Sequence, residues 1–341
     1  MRLIRPFVAG LALAGLFTLP AAAQPVSFAG KEFKVIVGFG AGSGYDQYGR
    51  LIAGHIGDHL PGNPTVVTEN MPGAGSIKSE TYLYNQAPRD GTVIGAVARD
   101  SLTQPLINPN QGYHFDATKF GWLGSPDTET NVCIANASAG LKTAADLFTK
   151  PITVGSTGIG TGTHIYPVVM NGMLGTKFKV IDGYQASGDV TLAMERHEVD
   201  GICESYSSII RKIGPKIRDG SVVILLQMGR QPNPELKNVT YLLDLAKTQE
   251  QRQALQLVYA GQSFARPFIT PPNLREGVLF ALRQAYDATL KDPKLLADAA
   301  RQKLEINPVG GEDCAAILAK AYATPKPIVQ KLAQIMSAKT H

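Results

Sequence analysis

The chain has 341 residues, 44% of them apolar, with 33 Lys and Arg against 28 Asp and Glu and a formal charge of +5. That length bounds the count at about two domains, with enough apolar material for sizeable cores. The basic residues are scattered, which argues against nucleic acid as a partner, since nucleic-acid binders gather Lys and Arg on one face.

Residues 1–23 read as a secretory signal: Arg2 and Arg5 supply the positive region, Phe7 to Leu19 the apolar core, and Ala21-Ala22-Ala23 the cleavage site. Gly10 and Gly15 interrupt the apolar run, which is short for a span of about 20 residues. The mature chain is expected to start near Gln24, to carry +3 once Arg2 and Arg5 are gone, and to reside in the periplasm.

Strand and helix patterns then alternate, the signature of an α/β chain. Phe33 to Val37 reads as a strand opening into a glycine-dense loop, with Gly38, Gly40, Gly42 and Gly44 ahead of Asp46. Such a loop can turn backbone amides toward an anion, with a helix N-terminus behind it, or simply make a tight strand-to-helix turn. Tyr48, Leu51, Ile52, His55, Ile56 and Leu60 recur at helical spacing. A strand at 65–69, the Gly73-Ala74-Gly75 turn, a helix to about Gln86 and a strand at 92–98 complete a doubly wound half. The second series has strands at 132–136 and 152–155, then a second glycine-rich loop, 155–162, leading into a helix over 163–174. A strand at 178–182, a helix at 188–196 and strands at 199–204 and 222–227 follow. The last third reads as helices over 240–246, 249–259, 274–290, 293–302 and 314–336, with a break at Pro325 to Pro327 and a capping box from Asn273 to Glu276. Two such loops facing each other at the carboxyl ends of strands would clamp one ligand.

Catalytic patterns fail one by one. No G-x-S-x-G elbow is present, Gly30-Lys31 is followed by Glu32 rather than a Walker hydroxyl, and the first loop breaks the dinucleotide fingerprint at Ser43 and Tyr45. His55 and His59 are four apart without the intervening glutamate of H-E-x-x-H, so a helix edge is expected there rather than a metal. His164, opening the helix after the second loop, either donates to a ligand or serves local packing. Neither loop contains Lys or Arg within 38–46 or 155–164. Binding chemistry without catalysis, cofactor or metal is the expectation. Of three cysteines, Cys133 and Cys203 fall in strand-like runs; a bridge between them is possible, but two small buried hydrophobes is the expected reading.

Several ordered motifs resemble the Bug, or tripartite tricarboxylate transporter receptor, family of periplasmic solute-binding proteins over nearly the whole mature chain. The family's V-P-F-x-P-G-G-x-x-D loop reads Val37-Gly38-Phe39-Gly40-Ala41-Gly42-Ser43-Gly44-Tyr45-Asp46. E-N-x-P-G-A-G stands as Glu69-Asn70-Met71-Pro72-Gly73-Ala74-Gly75, and P-D-G-T as Pro88-Arg89-Asp90-Gly91-Thr92 with one residue inserted. S-x-G-x-G-S-x-x-H is Ser156-Thr157-Gly158-Ile159-Gly160-Thr161-Gly162-Thr163-His164, and Tyr184-Gln185-Ala186-Ser187 follows. The resemblance implies a type II periplasmic-binding fold: two doubly wound lobes around a cleft, residues 24–124 with 228–341 and residues 125–227, and hinge crossings near Gly124 and Met228. It implies a monomer that captures a small carboxylate and delivers it to membrane permease subunits, with a sensor-kinase receptor or an exported enzyme as alternatives. Carried over, the ligand-binding positions are Ala41, Gly42, Ser43, Gly44 and Tyr45, with Ser156, Thr157, Gly158, Gly160 and Thr161. Asp46 is expected to cap the first helix. The family's proline and second glycine are replaced by Ala41 and Ser43, and Tyr45 is bulkier than usual. Tyr45 and Tyr184 would make an aromatic wall favouring a ligand with an apolar body, with Tyr48 expected in helix packing. Arg99 is the candidate for a second anionic group, and His164 and Tyr184 complete the expected site.

Overall fold

The computed structural model describes residues 26–109, 112–158, 161–184, 187–229 and 231–337. The signal segment, Gly160, Gln185 and Ala186 lie outside them.

The first half builds strand β1 (Glu32–Val37), helix α1 (Gly44–Ile56), β2 (Thr65–Asn70), α2 (Ile77–Asn85), β3 (Val93–Ala96), a short helix α3 (Gln104–Ile107) and β4 (Gly121–Ser125). β5 (Asn131–Asn136), β6 (Ile152–Ser156), α4 (Gly162–Leu174), β7 (Phe178–Asp182), α5 (Ser187–Glu195), β8 (Gly201–Ser205), α6 (Tyr206–Arg218), β9 (Val222–Met228) and β10 (Thr240–Tyr241) follow. The remainder is α7 (Gln249–Val258), β11 (Phe268–Thr270), α8 (Glu276–Lys291), α9 (Pro293–Gln302), β12 (Val309–Gly310), α10 (Gly311–Tyr322) and α11 (Lys326–Ser337).

Two six-stranded sheets result, ordered β12-β4-β11-β3-β1-β2 and β10-β9-β5-β8-β6-β7. Each has a parallel trio, β2-β1-β3 and β7-β6-β8, continued by antiparallel strands. The central strands are covered on both faces, which is why β1 and β3 are nearly continuous apolar runs and not alternating ones. α1 buries Tyr48, Leu51, Ile52 and Ile56 at i, i+3, i+4 and i+8 against the first sheet. α4 is buried on almost every side, because α7 and α11 pack against it as well as the second sheet.

The strand path leaves the first sheet after Ser125 and enters the second at Asn131. The return comes between Tyr241 and Phe268, later than near Met228, because β10 pairs parallel with β9 in the second sheet. α10 packs on β4 of the first sheet while α11 packs on α4 and α7, so part of the C-terminal segment expected with the first lobe lies against the second.

Three further expectations are corrected. Residues 240–246 form β10 and a one-turn 3₁₀ helix, not a full helix. α8 starts at Glu276 with Arg275 at its N-cap, and Asn273 lies two residues earlier in a left-handed conformation with φ 61°. Cys133 and Cys203 are bonded to each other: they stand directly opposite in the antiparallel β5–β8 pair, a proximity that strand-like sequence alone does not disclose. Cys314 is free and buried.

Candidate functional site

A cavity of about 730 Å³ lies between the two sheets at the carboxyl ends of their parallel strands. This is the position at which open α/β sheets take ligands, and the size suits a small molecule.

The first loop contributes one edge of it. Ser43 is the N-cap of α1, its hydroxyl accepting from the Asp46 amide at 3.2 Å. Asp46 is therefore not the cap; it is the third helical residue, and its carboxylate folds back over the loop. It accepts from the Gly42 amide (2.8 Å), Arg50 Nε (3.0 Å) and Asn70 Nδ2 (2.8 Å). Burial pushes its pKa up, but these bonds from Arg50, Asn70 and Gly42 outweigh burial and hold it below the usual range. The carboxylate is thus spent on the loop itself. Among the four loop glycines only Gly42 has positive φ, 82°. Ala41, Gly42 and Ser43 do not line the cavity, whereas Gly44 and Tyr45 do.

Tyr45 is the centre of a stacked column. Phe39 stacks on one face of its ring at 4.4 Å, and the Arg266 guanidinium sits 4.8 Å from its centroid. Its hydroxyl accepts from the Arg99 amide at 3.2 Å, tying α1 to the segment after β3.

The second loop is a hydroxyl network. Ser156 is fully buried, and its oxygen accepts from the Gly158 amide and the Thr163 hydroxyl. The Thr157 amide donates to Thr163 Oγ1 at 3.0 Å, and the Thr161 hydroxyl donates to the Gly158 carbonyl at 2.7 Å. Thr161 is the N-cap residue of α4, and among the described residues of this loop only Thr161, Gly162 and Thr163 reach the cavity. His164 is buried with Nδ1 2.9 Å from Asp182 and does not line it, which resolves that residue in favour of packing. Tyr184 also stays out of the cavity, packed against the second sheet's core; the expected Tyr45–Tyr184 wall is absent, and the aromatic residues lining the cleft with Tyr45 are Phe39, Tyr113 and Tyr166. Tyr48 packs as expected, its hydroxyl donating to the Glu305 carbonyl at 2.9 Å. His55 and His59 are held by Asp298 and Asp292 of the α9 region. Among the described residues no group of three or more His, Cys, Asp or Glu is placed to hold a metal.

Two contributions went unseen in the sequence. The first is the Gly73-Ala74-Gly75 turn, where Ala74 and Gly75 line the cavity through four consecutive positive-φ residues, Gly73 to Ser76. Ala74 and Ser76 carry a Cβ in a region that disfavours it, strain of the kind functional sites retain. The G-A-G motif was a signal for this wall. The second is the rest of the floor, built by the segments that pass between the sheets: Glu129 and Asn131 on the outward side and Arg266 on the return join Arg99, which was expected there from the sequence.

Glu129 is buried between two guanidiniums, Arg99 Nη1 at 4.0 Å and Arg266 Nη2 at 3.8 Å, distances of ion pairing without hydrogen bonding. Asp100 lies 3.8 Å from Arg99 Nε at the more open side. Burial lowers the Arg99 pKa, but Tyr166, Asp100, Tyr45 and Glu129 together raise it, so the cation is secure. Buried donors remain without a hydrogen-bond partner here: Nε and Nη1 of Arg99, Nε of Arg266 and Nδ2 of Asn131. Two buried acids flank the floor. Glu80, behind cavity-lining Ser101 whose hydroxyl donates to it, is pushed up to about 8 by burial. Asp127, beside the Tyr48 hydroxyl, is pushed up to about 7 by burial and by Glu129 and Glu305.

The family model for the tripartite tricarboxylate transporter family receptor matches residues 50–334. A Cupriavidus necator protein described as "UPF0065 protein in gbd 5'region" is 24% identical over 338 residues, 95% of this chain and 94% of that one. A TctC solute-binding protein from Polaromonas superposes with a TM-score of 0.69 at 20% identity, covering 89% of this chain and 100% of that one. An R. palustris protein solved with adipate superposes at TM-score 0.60 and 15% identity, over 88% of this chain and 97% of that one.

Proposed function

Because the chain belongs to the tripartite tricarboxylate transporter receptor family, we propose that it captures a small dicarboxylate in the cleft between its lobes. The observation that carries this reading is the floor: two guanidiniums and the Asn131 amide present unpartnered buried donors, with one buried carboxylate, Glu129, between the two cations. An unpaired buried donor costs free energy that an oxyanion relieves, and a guanidinium matches a carboxylate's two oxygens. One ligand carboxylate would sit on this floor near Arg99 and Arg266. The other end of the ligand would meet the amide and hydroxyl edge formed by Gly44 and Thr161 to Thr163. Adipate in a similarly folded protein supports the ligand class.

Closure would turn on the passages at 126–130 and 259–267, swinging one lobe onto the other. The lobes would follow the division expected from sequence, adjusted for α7 and α11. In this reading the chain works in the periplasm and hands its ligand to the permease subunits of a tripartite transporter. No helix among the described residues is long and apolar enough to cross a membrane.

Isothermal titration with adipate, shorter dicarboxylates and matched monocarboxylates tests the ligand class. Saturable binding is expected for at least one dicarboxylate, about tenfold tighter than for its monocarboxylate match, a difference of about 1.4 kcal/mol. Absence of binding across the series overturns the reading. Uptake assays on vesicles carrying the permease, with and without this chain, test delivery.

A further inference from the structure

A second cavity, of about 670 Å³, lies behind the cleft, and none of its lining residues is shared with it. Its walls come from both sides of the molecule: Met228, Gly229, Tyr241 to Leu243 and α7 from the second sheet's side, α10 from the first, and the links at Tyr259–Ser263 and Ala323–Thr324 that connect them.

The wall chemistry is divided. On α7, Gln249, Arg252, Gln253 and Gln256 stand at i, i+3, i+4 and i+7, one stripe of the helix, and all four line the cavity. The neighbouring stripe, Ala254, Leu255, Leu257 and Val258, is buried as an ordinary core face. The cavity-facing stripe is thus mainly polar, with Leu257 the apolar residue of α7 that joins the lining. Leu242, Ile317 and Ala321 supply an apolar part of the lining.

Charge is one-sided as well. Arg252 and Lys320 are the charged residues of the lining, and no acidic side chain is among the described residues there. Neither cation forms a salt bridge among the described residues. The cleft, in contrast, sets Glu129, Asp100 and Glu204 among its arginines. The Tyr259 ring is 6% exposed and lines the cavity, and its buried hydroxyl has no hydrogen-bond partner.

We infer that this cavity is a second binding site, for an amphipathic carboxylate whose hydrocarbon or aromatic body lies on the Leu242–Ile317–Ala321 wall and whose anion faces Arg252 and Lys320. The apolar wall supplies burial, and two uncompensated cations select the anion. The neighbouring Tyr259 ring packs at a tilt against Tyr166, 4.8 Å between ring centres, and Tyr166 lines the cleft, so one aromatic pair separates the two sites.

Octanoate is the probe, titrated calorimetrically into the full mature chain. Saturable binding is expected for the natural sequence. Arg252→Glu with Lys320→Glu should weaken it at least tenfold. Ala323→Trp, at an exposed lining position, should abolish it by filling the mouth. Both variants should keep thermal midpoints close to the natural chain's and bind adipate as the natural chain does. Failure of octanoate to saturate overturns the inference, as does octanoate binding that both variants leave unchanged.

Discussion

The glycine-rich loops and the passages between the sheets both meet at the cleft, yet they are built on opposite plans. The loops spend their polar groups internally: Asp46 is consumed by Gly42, Arg50 and Asn70, and the hydroxyls of residues 156–163 are consumed by one another. The floor does the reverse, gathering Arg99, Glu129, Asn131 and Arg266 while leaving donors unpaired. Groups already satisfied hold a shape, whereas unsatisfied ones hold a ligand. A loop motif can therefore mark a binding cleft without itself containing the strongest contacts.

If that contrast is right, the largest loss of affinity comes from the floor. Arg99→Gln should weaken dicarboxylate binding about 100-fold, equivalent to about 2.7 kcal/mol, while Arg266→Lys, which keeps charge but loses the planar fork, should cost about tenfold. Calorimetric titration reads both, with circular dichroism to confirm folding. Equal affinities in Arg99→Gln and the natural chain would move the anchor back to the loops.

The next effect is structural. Asp46→Ala should destabilise the fold by about 2 kcal/mol, because it leaves Arg50 and Asn70 without their charge-assisted partner. Chemical denaturation measures that cost. If Asp46→Ala instead removed binding with stability unchanged, the loop carboxylate would be a ligand contact after all.

Glu80 gives a pH signature. In the native state burial keeps its proton on up to about 8, whereas the unfolded chain releases it near 4.5. Between those values the unfolded state binds fewer protons, so stability falls as pH rises, by at most about 1.4 kcal/mol per pH unit from this group. Asp127 contributes with the same sign up to about 7. Glu80→Gln should flatten the decline between pH 5 and 8 in thermal melts; an unchanged slope would show Glu80 ionised in the native state.

The smallest effect belongs to the second loop. Thr161→Val removes one hydroxyl from a network whose members have other partners and should weaken binding about threefold, well under the floor substitutions. A loss matching that of Arg99→Gln would erase the distinction between loop and floor.

Much of the molecule is legible in the sequence because local physics writes it there. Continuous apolar runs bounded by glycine marked β1, β3 and β6, and the helical spacing of Tyr48, Leu51, Ile52 and Ile56 marked α1. The ordered glycine motifs marked the family and the two cleft-facing loops. Local pattern was weaker where elements are short or set by neighbours: β11 and β12 have three and two residues and exist through pairing with β4. α6 was missed although Ile209, Ile210, Ile213 and Ile217 recur at helical spacing; Pro215 and a kink at Ile213 interrupt it.

The site divides along the same line. Of the positions expected from sequence, Gly44, Tyr45 and Thr161 line the cleft cavity from the contiguous loops, and Arg99 lines it from just after a strand end. Ala41, expected beside them, is exposed in the loop ahead of α1, and His164, open between ligand contact and packing in the sequence, is held by Asp182. Sequence alone determined the alternating α/β plan, the glycine loops and the family, since each rests on residues adjacent in the chain. Only tertiary structure decided that Glu129 and Arg266 would flank Arg99 on one floor and that Cys133 would face Cys203. Those partners lie on separate strands and passages, and nothing but the packing of two sheets brings them together.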